Sequence, residues 1–157
     1  MSNLEILPCG PAVEVHILSE HGKIVEVDIF ASNGEFKFQL TGDQSIRGEV
    51  RKWLAAYGRK IPPKMALPLD RSTVSAFTGQ VLEKLEKIPF GKTLTYSEIA
   101  SNVGNPKAYR AVGSACGRNP FPLLIPCHRV LSTQGLGGYS EGLEIKKKLL
   151  AFELVFR

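Results

Sequence analysis

Apolar and polar residues alternate through the first part of the chain and then give way to a helical period. Ala12-Val13-Glu14-Val15-His16-Ile17-Leu18 and Lys23-Ile24-Val25-Glu26-Val27-Asp28-Ile29-Phe30 set apolar side chains at every second position, as strands with one buried face do. Residues 19–22 are short enough for a hairpin connection, and Glu35-Phe36-Lys37-Phe38-Gln39-Leu40 predicts a third strand after the Asn33-Gly34 turn. Together these predict a small three-stranded antiparallel sheet. Over residues 45–57 the spacing of Ile46, Val50, Trp53 and Leu54 predicts one face of a helix, with Gly58 just past its end. The proline-rich residues 61–70 read as a linker, dividing the chain into an N-terminal α/β domain (1–70) and a C-terminal domain (71–157).

The second domain has a helical pattern. Residues 72–87 predict an amphipathic helix on Phe77, Val81 and Leu85, with Ile88 beyond it and Pro89 as its stop. Thr95-Tyr96-Ser97-Glu98 has the form of a capping box, opening a helix that buries Ile99, Ala100 and Val103 and ends at Gly104. Asn105 is expected to cap the next helix, with Pro106 at its first position. A last helix is expected over residues 143–156. The fold class is therefore α+β: a small sheet and helix, then a helical, winged-helix-like domain with a helix-turn-helix.

Charge sharpens the division. Residues 71–157 hold 12 Lys+Arg against 6 Asp+Glu, or +6, whereas residues 1–70 hold 8 against 9. A basic half suits a polyanionic partner, although a solvated surface has the same composition. No apolar run is long enough for a bilayer, and the N-terminus lacks the basic start and apolar core of a signal peptide. Three irregularly spaced cysteines do not make a disulfide framework, so a reduced compartment is expected: the cytoplasm, or the nucleus in a eukaryote.

Candidate chemistry lies in the second half. The second helix of the pair directs Lys107, Arg110 and Ser114 to one side and Ala108, Val112 and Ala115 to the other, while Ala111 and Gly113 keep it slim enough for a groove. Helix pairs of this kind occur both as DNA readers and as plain packing. Asn119-Pro120-Phe121-Pro122-Leu123-Leu124-Ile125-Pro126-Cys127-His128-Arg129-Val130 carries a Cys-His pair to a rigid turn. Read alone, such a pair fits a packed cysteine, or a thiol with His128 as proton acceptor, directly or through water. Glu153 projects from an apolar helix face with Leu149, Leu150 and Phe156, so it needs a partner: an imidazole, a lysine or solvent. Lys146-Lys147-Lys148 reads as a solvated basic face. Gly135-Leu136-Gly137-Gly138-Tyr139-Ser140 reads as a loop able to pass close to a ligand.

Together these segments resemble the O6-alkylguanine-DNA alkyltransferases. Ile125-Pro126-Cys127-His128-Arg129-Val130 matches that family's active-site signature. Gly91 with Thr95-Tyr96, Gly104-Asn105-Pro106 leading to Arg110-Ala111-Val112-Gly113, Asn119-Pro120, Gly138-Tyr139-Ser140 and Glu153 support it. The resemblance covers residues 72–156; the first segment fits only in outline. It implies irreversible, once-per-molecule transfer of an alkyl group from O6-alkylguanine, and from O4-alkylthymine, in double-stranded DNA to Cys127. His128 would be the base, through a bridging water, with Glu153 orienting it and Asn119 as hinge and brace. Tyr96, Val130, Tyr139 and Ser140 would hold the flipped base. Lys107, Arg110, Ala111 and Ser114 would meet the minor groove, with Arg110 filling the vacated stack.

The resemblance implies no metal and no organic cofactor, a monomer, and no membrane partner. Two departures are the Cys116 thiol, where a larger apolar residue is usual, and the bulky Tyr109, where a small residue is usual. Cys9, His16 and His21 do not match the zinc ligands of some relatives. A lesion sensor of the same fold would lack Cys127; a regulator would carry a cysteine-rich domain; a cysteine hydrolase would need an oxyanion site.

Overall fold

A computed structural model describes residues 3–154. Phe156, expected in the last helix, lies outside the described residues. The sheet is built from β1 (Glu5–Ile6), β2 (Val13–Glu20), β3 (Lys23–Ala31) and β4 (Lys37–Gly42), in the order β1-β4-β2-β3. β2 and β3 form the expected hairpin, turned by His21 and Gly22 at φ 51° and 77°. Positive φ at both central residues lets the turn follow the strands' own twist.

The remainder of the sheet corrects the three-stranded antiparallel expectation. It has four strands and is mixed: β4 runs parallel to β2, with Val15 beside Phe38 and Ile17 beside Leu40, and β1 pairs with β4 antiparallel. β1 has only two residues, too few to leave a periodic signal. The outer edge of β3 is occupied by the C-terminal half: Val27 donates its N–H to the Pro120 carbonyl (2.9 Å) and Ile29 donates its N–H to Glu141 (3.1 Å). With that edge covered, β4 adds on the far side of β2.

Alternation then does what the pattern requires. Val13, Val15, Ile17, Phe38 and Leu40 point into one core, joined by Val50, Leu54 and Tyr57 of α1 (Arg47–Gly58). The same core continues without a break into α2 (Ala76–Glu86), α3 (Tyr96–Asn102), α4 (Tyr109–Gly117) and α5 (Leu143–Leu154). No helix among the described residues is long and apolar enough to cross a membrane.

Caps decide where the helices start. α2 begins later than the apolar spacing suggests because Ser75, not Ser72, accepts the N–H of Thr78 (3.2 Å). α3 has both halves of its capping box: Glu98 N–H to Thr95 Oγ1 at 3.1 Å and Thr95 N–H to Glu98 Oε1 at 3.0 Å. α4 departs from expectation. Asn105 and Pro106 do not open it; the Asn105 carbonyl accepts the N–H of Ala108 (2.9 Å) in a turn, and the helix starts at Tyr109. Lys107 therefore sits on that turn, ahead of the helix. A short parallel pair, β5 (Leu94–Thr95) with β6 (Val130–Leu131), ties the start of α3 to the segment after Cys127.

Candidate active site

Cys127 opens a single 3-10 turn, Cys127–Arg129, at the end of the proline-rich run. Asn119 builds this turn. Its Oδ1 accepts the N–H of Phe121 (2.9 Å), and its Nδ2 donates to the Ile125 carbonyl (2.9 Å) and to Cys127 Sγ (3.2 Å). One buried side chain thus fixes the run at two points and also touches the sulfur. The thiol is 3% exposed. Burial pushes its pKa up to about 11, against the lowering effects of the Asn119 bond and the Lys146 charge. Making thiolate at pH 7 then costs about 5 kcal/mol.

His128 is wholly buried, and burial lowers its pKa, which keeps the resting imidazole neutral. Its Nε2 bonds Glu153 Oε2 at 2.5 Å. A neutral ring donating there carries its acceptor lone pair on Nδ1, which has no partner among the described residues. Glu153 is in turn surrounded by donors. Arg129 Nε reaches its Oε1 at 2.6 Å, and the Tyr57 hydroxyl reaches its Oε2 at 2.6 Å. Burial works to raise the Glu153 carboxyl; His128 and Arg129 outweigh it and hold the pKa at about 2. The second nitrogen arm of Arg129 donates to the Ile88 carbonyl (2.8 Å). A buried carboxylate with one full countercharge and three hydrogen bonds is a stable anion.

In front of Cys127 lies a cavity of about 360 Å³, lined by Tyr96, Gly113, Cys116, Gly138, Tyr139 and Ser140 among others, with Tyr109 and Arg110 also on its wall. Gly113 is the low step on α4 that leaves this space open. The opposite wall is shaped around Tyr96, whose hydroxyl accepts the N–H of Gly138 (3.2 Å). Gly137, at φ +74°, lies so close to the Tyr96 ring that a Cβ there would come within 2.7 Å of it. Only glycine takes both that φ and that contact. Cys116 carries a second buried thiol into the same cavity, its pKa pushed by burial to about 12.

The expectation of a solvated Lys146-Lys147-Lys148 face is wrong at its first member. Lys146 is fully buried, and its ammonium donates to the carbonyls of Val130 (2.7 Å), Leu136 (2.5 Å) and Gly138 (2.9 Å). All three of its protons are used in joining β6 to the glycine loop. A basic run looks like a solvated face because lysine is rarely buried; three converging carbonyls reverse that rule here. Lys147, by contrast, is exposed and pairs loosely with Glu144 at 3.8 Å.

Comparison with known proteins covers the part of the chain that carries Cys127, His128 and Glu153. Residues 76–155 match the model of the 6-O-methylguanine DNA methyltransferase DNA-binding domain. A methylated-DNA–protein-cysteine methyltransferase of Metallosphaera sedula is 38% identical over 146 residues, covering 93% of this chain and 88% of that protein. The chain belongs to the methylated-DNA–protein-cysteine methyltransferase family. A probable methyltransferase of that name from Acanthamoeba polyphaga mimivirus is 53% identical over 77 residues, 49% of this chain and 52% of that protein. The chain thus spans about half the length of some curated relatives it matches. Among solved structures, Mycobacterium tuberculosis OGT in complex with DNA superposes with a TM-score of 0.72 at 30% identity, covering 90% of this chain and 93% of that one.

For this family member the structure sets Asn119 against the Cys127 sulfur and Glu153 against the neighbouring His128, all four buried, with Tyr96, Tyr139 and Ser140 on the cavity in front. Val130 is buried behind it, its carbonyl held by Lys146. Arg110, Ala111 and Ser114 lie on the exposed face of α4, and Lys107 is exposed on the preceding turn. Sequence reasoning assigned nothing to Arg129 or Tyr57. Arg129 is adjacent to the Cys-His pair and lies inside the signature, which were the signals available for it. Tyr57 lies 96 positions from Glu153 and looks like any core aromatic in its helix.

Proposed function

We propose that the protein repairs alkylated DNA by direct reversal, moving the alkyl group of O6-alkylguanine, and of O4-alkylthymine, onto Cys127 once per molecule. One observation carries this reading: a buried thiol faces a base-sized cavity and is backed by a neutral imidazole held on a buried carboxylate. Residues 71–157 form the winged-helix-like DNA-binding and transfer domain, and residues 1–70 are its supporting partner. The exposed face of α4 with Lys107, Arg110, Ala111 and Ser114 enters the minor groove of duplex DNA. The target nucleotide rotates into the cavity, Arg110 fills its place, and the protein works as a monomer in the cytoplasm or nucleus.

His128 takes the thiol proton on Nδ1, through a water, and Glu153 supports the resulting imidazolium. Sγ attacks the alkyl carbon in line, the carbon–O6 bond breaks, and its electron pair leaves with guanine. The Tyr96 phenol supplies a proton to the departing base and regains one from solvent. Tyr139 and Ser140 hold the base during attack, the Val130 carbonyl, taken by Lys146, keeps β6 in place, and Asn119 keeps the sulfur aimed. The thioether has no route to hydrolysis, so the molecule is spent. The chemistry as written uses no metal or organic cofactor.

Intact-mass measurement after incubation with a duplex containing O6-methylguanine tests this. The wild-type chain gains one methyl group, Cys127→Ala gains none, and the mutant still binds the lesion. Methylation on Cys9 or Cys116 would overturn the assignment.

A further inference from the structure

We infer that Tyr57, on the N-terminal helix α1, is a positioning residue for the transfer chemistry, acting on Cys127 through Glu153 and His128. The inference rests on the alkyl-transfer reading and concerns how the base is tuned. Tyr57 is 1% exposed, and its hydroxyl donates to Glu153 Oε2, the same oxygen that His128 Nε2 contacts. Two donors therefore share one carboxylate oxygen, one from each half of the chain. Burial, reinforced by Glu153, raises the Tyr57 phenol well above its ordinary value, so it stays a donor through the neutral range.

Sharing has a direction. A hydrogen bond to a carboxylate disperses its charge and weakens its pull on another proton. Tyr57 thereby tempers the hold of Glu153 on His128 and favours the neutral imidazole, the form able to accept a proton. The other groups facing His128 are fixed: Arg129 and Lys146 disfavour its charged form, Glu153 favours it, and the Tyr139 ring stands edge-on at 6.5 Å. All four belong to the C-terminal half, whereas Tyr57 reaches Glu153 from the N-terminal sheet-and-helix layer. The ring is held from several sides, stacked on Trp53 at 5.9 Å and against Phe90 and Phe152 at 5.7 and 5.4 Å. The hydroxyl is thus aimed by packing and has one specific job at its tip.

Tyr57→Phe keeps those ring contacts and removes only the donor. The chain has three histidines, so histidine-selective isotope labelling and NMR follow the His128 titration with His16 and His21 as internal controls. The expected result is an upward shift of the His128 midpoint by about half a pH unit, with the two controls unmoved. In single-turnover transfer from an O6-methylguanine duplex, the acid limb moves upward equally, making the variant about threefold slower on that limb. An unmoved His128 midpoint overturns the inference, whatever the rate does; a rate loss that only follows the melting temperature would make Tyr57 a packing residue. Should wild type fail to transfer at all, the alkyl-transfer reading falls while the NMR midpoint still decides the role of Tyr57. If the Phe variant does not fold, 2,3-difluorotyrosine at position 57 serves instead: a stronger donor of nearly the same shape, expected to move the midpoint down.

Discussion

Replacing Lys146 by Met would leave the stem of the side chain nearly intact while deleting three hydrogen bonds at once. Its ammonium holds Val130, Leu136 and Gly138, and of these the Val130 carbonyl is fully buried. A buried carbonyl left without its donor costs about 1–3 kcal/mol, and the two part-buried ones cost less. Relief from burying the ammonium offsets some of this. The balance is a loss of about 3 kcal/mol, at the low end for breaking a buried charged cluster. In a chain of this size that lowers Tm by about 6–12 °C. A second effect falls on the sulfur, because Lys146 is one of the groups that lower the Cys127 pKa. Alkylation of Cys127 by iodoacetamide should therefore slow in the variant at every pH between about 7 and 10. Lys146→Arg should not rescue either property, since a planar fork cannot satisfy three carbonyls arranged around a point charge. Urea and thermal melts, alongside peptide-resolved alkylation rates, measure both. A Met variant with wild-type Tm and unchanged thiol reactivity would refute the reasoning and put the ammonium in solvent.

Two further outcomes are expected. Arg110→Ala should slow repair of duplex DNA by about tenfold or more while leaving reaction with free O6-benzylguanine almost untouched, because only the duplex needs its stack held open; equal losses would place Arg110 in the chemistry or the fold. Stability should fall as the solution is acidified. His128 has a depressed folded pKa, so unfolding takes up a proton below about pH 6.5. Glu153 adds to this: its stabilisation is complete above the ordinary 4.5 and is lost as pH falls towards its folded value of about 2, a contribution of about 3 kcal/mol. Urea midpoints across pH 3–8 check this, and Glu153→Gln should flatten the lower part of the curve.

Local signals were legible in the sequence wherever one short stretch contains the whole cause. The Thr95–Glu98 capping box, the β2–β3 hairpin and the apolar face of α2 each depend on neighbours within a few residues. The candidate cluster was legible only through the family resemblance: read alone, Cys127 beside His128 fitted a packed cysteine as well, and Glu153 among leucines called for a partner without naming it. What stayed hidden depends on distant partners. The parallel pairing of β4 follows from an edge of β3 that Pro120 and Glu141 occupy. Lys146 is buried because three carbonyls from two other segments converge on it. The start of α4 was misjudged for a different reason: Asn105-Pro106 suits a turn as well as it suits a helix opening.

The depth of Cys127 bears on how long an unused molecule stays usable. On the proposed reading, a protein that reacts once must arrive at its lesion with the sulfur intact. Oxidants and small electrophiles attack thiolates, preferentially exposed ones. With a pKa of about 11, about one Cys127 in ten thousand is ionised at pH 7, and the side chain is 3% exposed. The same burial that makes the nucleophile hard to ionise also keeps it from being wasted. On that reading, an unused molecule meets peroxides and disulfides with its sulfur shielded until it is needed.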